Sequence, residues 1–175
     1  MTAASPIIRA LRLEDADSVG AVHVRAWLAA YRGVMPDAYL DGLTIADRAA
    51  RWKQMLSNPP RRRGARLGAE VEGRVVGFIL VGPMDGDAVS TIGEVYAINV
   101  DPDRWGSGIG HVLFDAGVAV LRDERFAESI LWVAPANARA RRFYEIAGWR
   151  HDGGSRRHEL LGVEVDEIRY RCVLA

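Results

Sequence analysis

The apolar positions of the chain recur with two different spacings, and these predict two kinds of element. Short apolar runs predict strands, which cover residues 7–13, 67–71, 74–81, 91–100, 129–134, 149–152 and 165–173. Apolar residues three and four positions apart predict helices, which cover residues 19–33, 35–43, 44–56, 109–121 and 137–147. The remaining stretch between the last two strands, residues 153–162, is predicted to be a loop.

The character of the strands predicts how they are arranged. Residues 91–100 and 129–134 are apolar at positions of both parities, as in central strands covered on both faces. Glu72-Gly73 suits a tight hairpin turn between two antiparallel strands. The order of elements therefore predicts an α/β protein with a mixed sheet and helices on both of its faces. With no internal repeat and no linker, residues 1–175 are expected to form one domain.

The composition of the chain predicts what kind of ligand it binds and where in the cell it works. Lys and Arg number 23, as do Asp and Glu, so no overall charge favours nucleic acid or an anionic membrane as partner. The N-terminal residues lack an apolar leader, and no run of about 18 apolar residues occurs, so a soluble cytoplasmic protein is expected. Cys172 is the one cysteine, which excludes an intrachain disulfide and a Cys-rich metal site. We therefore expect a small or locally charged ligand and no metal.

The segment RWGSGIG, residues 104–110, lies directly between a predicted buried strand and a predicted helix. Its glycines allow a ligand to approach the main chain, and the first N–H groups of the helix have no partner within it. Such a turn suits an anion such as a pyrophosphate. A dinucleotide fingerprint would need glycine where His111 stands, and a Walker loop would need Gly-Lys-Ser/Thr. A tight connection without a ligand remains the alternative.

Two segments resemble the signatures of the GNAT superfamily of N-acetyltransferases. EVYAINVDPDRWGSGIGHVLF resembles its acetyl-CoA motif, and NARARRFYEIAGW, residues 137–149, resembles its second signature. WLAAYRGVMPDAYLDGL is similar to a bacterial subgroup whose substrates are mostly unassigned. The resemblance runs from about residue 7 to the C-terminus. It implies the GNAT fold, a central mixed, mostly antiparallel sheet with splayed middle strands, and it implies acetyl-CoA-dependent transfer to an amine.

The resemblance also implies which residues hold acetyl-CoA. Strand residues would bind the pantetheine arm through their main chain as an added strand would, and these are Ile98, Asn99 and Val100. The turn would wrap the pyrophosphate with Arg104, Trp105, Gly106, Ser107, Gly108, Ile109, Gly110 and His111. Trp105 departs from the family, which usually has Arg or Gln there. Asn137 would hydrogen-bond the pantetheine arm, although asparagine is also a favoured helix N-cap.

Two residues are implied in catalysis. Tyr144 matches the family tyrosine that protonates the departing CoA thiolate; the alternative is a core aromatic on the apolar side of its helix. Glu94 is the candidate base that deprotonates the acceptor amine, because partial burial would raise its pKa. The alternative is a solvent-facing or Arg-paired glutamate. Tyr96, on the same face two residues on, is the reserve base.

The acceptor site is predicted from the first helices. In the family this region shapes the acceptor pocket, and here it contains Trp27, Tyr31 and Tyr39 together with Asp37 and Asp41. Tyr96 is a further candidate for contact with the acceptor. Aromatic and acidic side chains suit a cationic amine, although the pattern favours Trp27 and Tyr31 as core residues of the first helix slightly more. His23, on the same helix face, is expected to be a satisfied helix residue.

Several functional alternatives stay open. The extra helices favour a small-molecule amine as acceptor over a protein N-terminus or lysine. A catalytically silent acetyl-CoA sensor belongs to another class, but it would need no leaving-group acid such as Tyr144. An inert buried thiol at Cys172 implies direct transfer in a ternary complex. Because GNAT proteins often form dimers, a homodimer is expected.

Overall fold

The computed structural model describes residues 5–160 and 162–174. Its strands are β1 (Ile7–Ala10), β2 (Ala65–Val71), β3 (Arg74–Pro83), β4 (Ile92–Val100), β5 (Glu128–Val133), β6 (Arg150–Leu160) and β7 (Val163–Val173). Its α-helices are α1 (Ala16–Tyr31), α2 (Asp37–Asp41), α3 (Ile45–Leu56), α4 (Ile109–Asp123) and α5 (Ala138–Ile146). None of the helices in the described residues combines the length and the apolarity needed to span a membrane.

The strands form one sheet in the order β1-β2-β3-β4-β5-β7-β6. Of the strands described, only β4 and β5 run parallel to each other, and the other neighbours are antiparallel. Phe78 packs against α1 and α3, while the next residue, Ile79, packs against α4. Because successive side chains of a strand point to opposite faces, these helices cover both faces of the sheet. The predicted fold class is thereby confirmed.

The two central strands separate after a short paired stretch. β4 and β5 pair only from Ile92 with Glu128 to Val95 with Leu131, although both strands continue beyond that pair. At this point β4 also carries a bulge, because Leu80 and Val81 of β3 face Ala97 and Val95, which leaves Tyr96 as an extra residue. A bulge bends its strand and re-aims the side chain it carries. β4 and β5 are therefore splayed, and the main chain of β4 faces an opening on that side.

The predicted loop at residues 153–162 is wrong. β6 extends through most of it and forms a long hairpin with β7. The stretch lacks an apolar alternation, and its strand is held by the ladder and by cross-strand ion pairs of Arg156 with Glu167 and of Arg157 with Asp166. Gly153, at φ 87°, lies where the register shifts between His151 and Ser155. The glycine marks an irregularity within the strand and does not end it.

Candidate active site

A cavity of about 1260 Å³ follows the opening between β4 and β5. Walls are contributed by α1, β4, the glycine turn, the end of β5, α5 and β6. The predicted site residues that line it are Trp27, Tyr31, Glu94, Tyr96, Ile98, Asn99, Val100, Arg104, Trp105, Gly106, Gly108, Gly110, His111, Asn137 and Tyr144. The structure thus brings together residues that are up to 117 positions apart, from Trp27 to Tyr144.

Three predicted site residues lie outside the cavity lining. Ile109, the first residue of α4, is buried in the core, and the Ser107 hydroxyl donates to the carbonyl of Arg104 at 2.6 Å. Tyr39 packs against the cluster of Trp27, Met35 and Leu40, and its hydroxyl accepts a hydrogen bond from Arg48 at 3.2 Å.

The glycine turn has the conformation and the free space that the sequence predicts. Gly106 and Gly108 have φ values of 78° and 85°, and a Cβ added to either would have no atom within 4 Å. Gly108 is the N-cap of α4, so the first N–H groups of that helix point towards the turn. The turn therefore offers main-chain donors beside open space at the positive end of a helix dipole.

Trp105 fixes the turn and holds a cation above it. Its Nε1 donates a hydrogen bond to the carbonyl of Val100 at 2.9 Å, which ties the turn to the end of β4. The Arg139 guanidinium stacks on the indole, 3.4 Å from the ring centroid. Sequence reasoning missed this pairing, because the residues are 34 positions apart and belong to different elements. The stack places a positive charge at the end of the cavity where the turn lies.

Glu94 and Tyr96 lie at the end of the cavity away from the glycine turn. Both side chains are hydrogen-bonded to the main chain at the end of β3 and in the turn that follows it. Glu94 is 6% exposed, and its Oε2 accepts a hydrogen bond from the main-chain N–H of Asp85 at 2.9 Å. Burial raises the pKa of Glu94, and the Asp85 N–H partly opposes that rise. The Tyr96 hydroxyl donates to the carbonyl of Pro83, and burial raises its pKa to about 12. The prediction of a desolvated Glu94 is confirmed by its burial, whereas the solvent-facing alternative is wrong.

The β6–β7 hairpin adds charged groups that the sequence analysis did not assign to the site. Arg156 contacts Glu167 at 2.7 Å and stacks over Trp132 at 4.2 Å, and all three line the cavity. Glu167 is 9% exposed. Val163 and Val165, which share its strand face and pack against the cluster of Trp27, Met35 and Leu40, are the available signal, but the sequence predicts a loop where the partner strand lies. Among the described residues, no group of three His, Cys, Asp or Glu side chains could hold a metal ion.

Tyr144 and Asn137 each have both a structural role and a place in the cavity lining, which the sequence analysis treated as alternatives. Tyr144 is 8% exposed, packs 5.7 Å from the Phe114 ring and still lines the cavity; burial raises its pKa well above the usual range. The Asn137 side chain accepts from the N–H of Ala140 at 3.1 Å as the N-cap of α5, and it also lines the cavity. Both residues are therefore structural and within reach of a ligand.

The chain matches the sequence model described as the acetyltransferase (GNAT) family over residues 24–149. The chain belongs to the GNAT family. It is an acetyl-CoA-dependent acyltransferase, and such enzymes pair acetyl-CoA with an acceptor substrate.

Similar proteins include two acetyltransferases from bacteria. It is 28% identical over 130 residues to the N-acetyltransferase YuaI of Bacillus subtilis, which covers 74% of this chain and 72% of YuaI. It is 42% identical over 78 residues to the mycothiol acetyltransferase of Kocuria rhizophila, which covers 43% of this chain and only 25% of that protein. The structure is similar to PaiA N-acetyltransferase of Thermoplasma acidophilum in complex with coenzyme A, with a TM-score of 0.69 and 20% identity over 94% of this chain and 98% of that chain.

Proposed function

We propose that this GNAT enzyme, as one domain over residues 1–175, transfers the acetyl group of acetyl-CoA to the primary amine of a small molecule by direct attack in a ternary complex. One observation carries the proposal: a single cavity joins the glycine turn at one end to the buried Glu94 at the other, and Tyr144 lines it. A donor bound along the opening and an amine beside Glu94 would then meet within one continuous cavity.

The splayed strands provide the seat for the acetyl-CoA arm. Beyond Val95, the main chain of β4 has no partner on the β5 side among the described residues, so Ile98, Asn99 and Val100 can bind the pantetheine amides as a strand would. The pyrophosphate would occupy the space beside Gly106 and Gly108, where the N-terminus of α4 favours an anion. Asn137 would add a side-chain contact to the arm. The cavity is large enough for both a cofactor-sized arm and an acceptor.

The two proton transfers of the reaction are assigned to different residues, Glu94 for the amine and Tyr144 for the thiolate. An ammonium group cannot attack, so Glu94 accepts a proton from it, and the raised pKa of Glu94 suits that task. The neutral amine attacks the thioester carbonyl, a C–N bond forms and the C–S bond breaks. The departing thiolate takes a proton from Tyr144, whose raised pKa keeps it protonated at neutral pH. The nitrogen releases a second proton as the amide forms, and this proton restores the Tyr144 hydroxyl, so the net products are the amide, CoA thiol and the one proton held by Glu94.

Two structural features support a direct transfer to a small acceptor. Cys172 lies on β7 outside the cavity lining, and its thiol contacts the carbonyl of Val173 at 3.3 Å, so it does not suit an acetyl-cysteine intermediate. On the acceptor side, α1 contributes Trp27 and Tyr31 to the wall, and these aromatic faces suit a cationic amine. We also propose a cytoplasmic location and a homodimer, the latter tested by sedimentation equilibrium of the purified chain.

Thiol release from acetyl-CoA in the presence of an amine panel tests the proposal. We expect amine-dependent release, and we expect Tyr144→Phe to lower kcat about 100-fold while acetyl-CoA still binds, because only the leaving-group proton is lost. Phe143→Leu, a change to the neighbouring aromatic residue of α5, is the control for packing. Release that does not depend on any amine, or a Y144F variant as active as the parent, would contradict the proposed mechanism.

A further inference from the structure

The guanidinium of Arg156 lies in the cavity wall with part of its hydrogen-bonding capacity unused. Its Nε donates to Oε2 of Glu167 at 2.7 Å, and its Nη2 contacts the same oxygen at 2.7 Å. Within residues 5–160 and 162–174, the two N–H groups of Nη1 have no protein acceptor. The Arg156 side chain is 29% exposed and lines the cavity, so a ligand can reach these donors.

Two neighbours hold this guanidinium in place. Cζ of Arg156 is 4.2 Å from the centroid of the Trp132 indole, and Glu167 lies directly opposite Arg156 in the β6–β7 ladder. An arginine that is both stacked and ion-paired has little rotamer freedom left to lose. A ligand that meets Nη1 therefore binds without much further ordering of the side chain.

The sheet register places Trp132 close to the proposed base, Glu94. Val95 and Leu131 are paired in the β4–β5 ladder, and both pack into the core on the α4 face. Glu94 precedes this pair and Trp132 follows it, so both point to the opposite face, which α1 covers. Their levels along the sheet differ by two residues of strand, or about 7 Å.

Arg156 and Glu167 belong to the same face of the sheet. Ile168 packs against the core on the α4 face, so Glu167 before it points to the α1 face, and Arg156 opposite it does so too. Burial chiefly raises the pKa of Glu94, and the charges of Arg156 and Glu167 also act on it, in opposite directions. The guanidinium is therefore within reach of a small molecule whose amino group lies at Glu94.

The Glu94 end of the cavity carries charges of both signs. Arg61 also lines it, and its guanidinium packs so closely against Gly86 that a Cβ there would overlap it. Arg61 forms no ion pair with any residue that the structure describes. Carboxylates beside the amine, with guanidinium groups near them, suit an acceptor that is itself a zwitterion.

We propose that Arg156 is a specificity-determining residue that binds a carboxylate of the acceptor through Nη1, while Glu94 receives the proton of its ammonium group. The preferred acceptors are then free amino acids, which carry both groups in one small molecule. A guanidinium binds a carboxylate through charge-assisted hydrogen bonds, which are roughly twice as strong as those to a neutral amide. This inference rests on the proposed function, because it assigns the substrate class of that same site.

Matched pairs of acceptors test it: glycine against glycinamide, β-alanine against β-alaninamide, and 4-aminobutyrate against 4-aminobutyramide. The measured quantity is the ratio of kcat/KM for the acid to that for the amide, from thiol release at one fixed pH. Each variant is compared with the parent enzyme, which we expect to favour the acid in at least one pair. Both members of a pair lose the same ammonium proton, so a change in the pKa of Glu94 cancels from this comparison.

Arg156→Met removes the guanidinium and keeps an apolar side chain over Trp132. We expect it to lower the ratio about tenfold, as loss of a charge-assisted hydrogen bond does. It also leaves Glu167 unpaired, and a bare carboxylate repels an anion by itself, so the double variant with Glu167→Gln removes both charges and should keep the low ratio. Glu167→Gln alone keeps an oxygen for Arg156 but removes the neutralising charge, so it should raise the ratio. Arg157→Met is the matched control, because this neighbouring arginine pairs with Asp166 on the other face of the same hairpin.

The possible failures are distinguishable. A parent enzyme that favours the amide in every pair overturns the inference, and so does a ratio unchanged in R156M, restored to the parental value in the double variant, or lowered equally by R157M. E167Q measures the effect in the opposite direction, so a ratio that falls in it contradicts the inference even if R156M does not fold. A protein that binds acetyl-CoA but acetylates neither acids nor amides contradicts the proposed function itself.

Discussion

The main-chain N–H of Asp85 donates to the carboxylate of Glu94 across 2.9 Å, from a residue in the left-handed region at φ 52°. A left-handed conformation is costly for a residue other than glycine, and it persists where the surrounding structure enforces it. Here it lets the turn Met84–Gly86 hold a buried carboxylate at the cavity wall. The charge of Asp85 also raises the pKa of Glu94, although less than burial does.

This contact predicts the acid side of the pH profile. The rate should rise with pH as Glu94 loses its proton, with an apparent pKa above the ordinary glutamate value of 4.5. Asp85→Asn removes the neighbouring charge, keeps the N–H donor and tolerates the left-handed region, so it should move this limb to lower pH. Profiles of kcat/KM between pH 5 and 9 measure it.

Glu94→Gln is the control for that limb. We expect it to lower kcat/KM about 100-fold and to remove the limb, because the amide cannot accept the proton. A glutamine variant that keeps both its rate and its acid limb would show that another group is the base.

Gly108 should matter to acetyl-CoA and not only to the fold. Gly108→Ala and Gly33→Ala both place a Cβ in the left-handed region, at φ 85° and 79°, with no atom within 4 Å. Each should cost roughly 1 kcal/mol of stability. Only the G108A methyl enters the space proposed for the pyrophosphate, so we expect roughly tenfold weaker acetyl-CoA binding in G108A alone. Equal binding by the two variants would contradict the turn as the pyrophosphate site.

The Arg139–Trp105 stack predicts a salt-dependent contribution to cofactor binding. Arg139→Met removes the charge but keeps an apolar side chain over the indole, and it should weaken CoA roughly tenfold at low salt. The loss should shrink at high salt, where phosphate contacts are screened. Arg51→Met, an exposed arginine of α3, is the matched control. An R139M variant with parental CoA affinity at low salt would mean that the guanidinium does not meet a phosphate.

His23 predicts how stability depends on pH. Its pKa falls from 6.5 to about 4 on folding, so the unfolded chain binds the proton between these values. Neutral His23 contributes fully to the free energy of unfolding above about pH 6.5. This contribution, at most about 3 kcal/mol, is lost as the pH falls towards 4. Urea unfolding at pH 7 and pH 5 should therefore show a smaller difference for His23→Gln than for the parent. His151→Gln, at an exposed position, should keep the parental difference; a parental difference in H23Q would refute the shift.

The sequence predicted the parts of the site that depend on local pattern. Gly106 and Gly108 follow a doubly apolar strand and precede a periodic helix, so their turn could be placed by order alone. The splay between β4 and β5 could be predicted only from the family resemblance, because no residue pattern within either strand indicates where their pairing ends.

The parts that were missed depend on contacts between distant residues. The hairpin of β6 and β7 is held by the ladder and by pairs such as Arg156–Glu167, and an isolated polar stretch resembles a loop. The hydrogen bond from the Trp52 indole to Nδ1 of His23 joins residues 29 positions apart on two different helices. Such pairings are fixed by tertiary packing, and no local period reports them.

Calorimetric titration of the purified chain with acetyl-CoA, CoA and NADH tests the central claim most directly. The account predicts micromolar binding of acetyl-CoA and CoA, because both have the pantetheine arm and the pyrophosphate, and no comparable binding of NADH, which lacks the arm. Absence of acetyl-CoA binding, or equal binding of NADH, would contradict the assignment of the β4–β5 opening as the acetyl-CoA site.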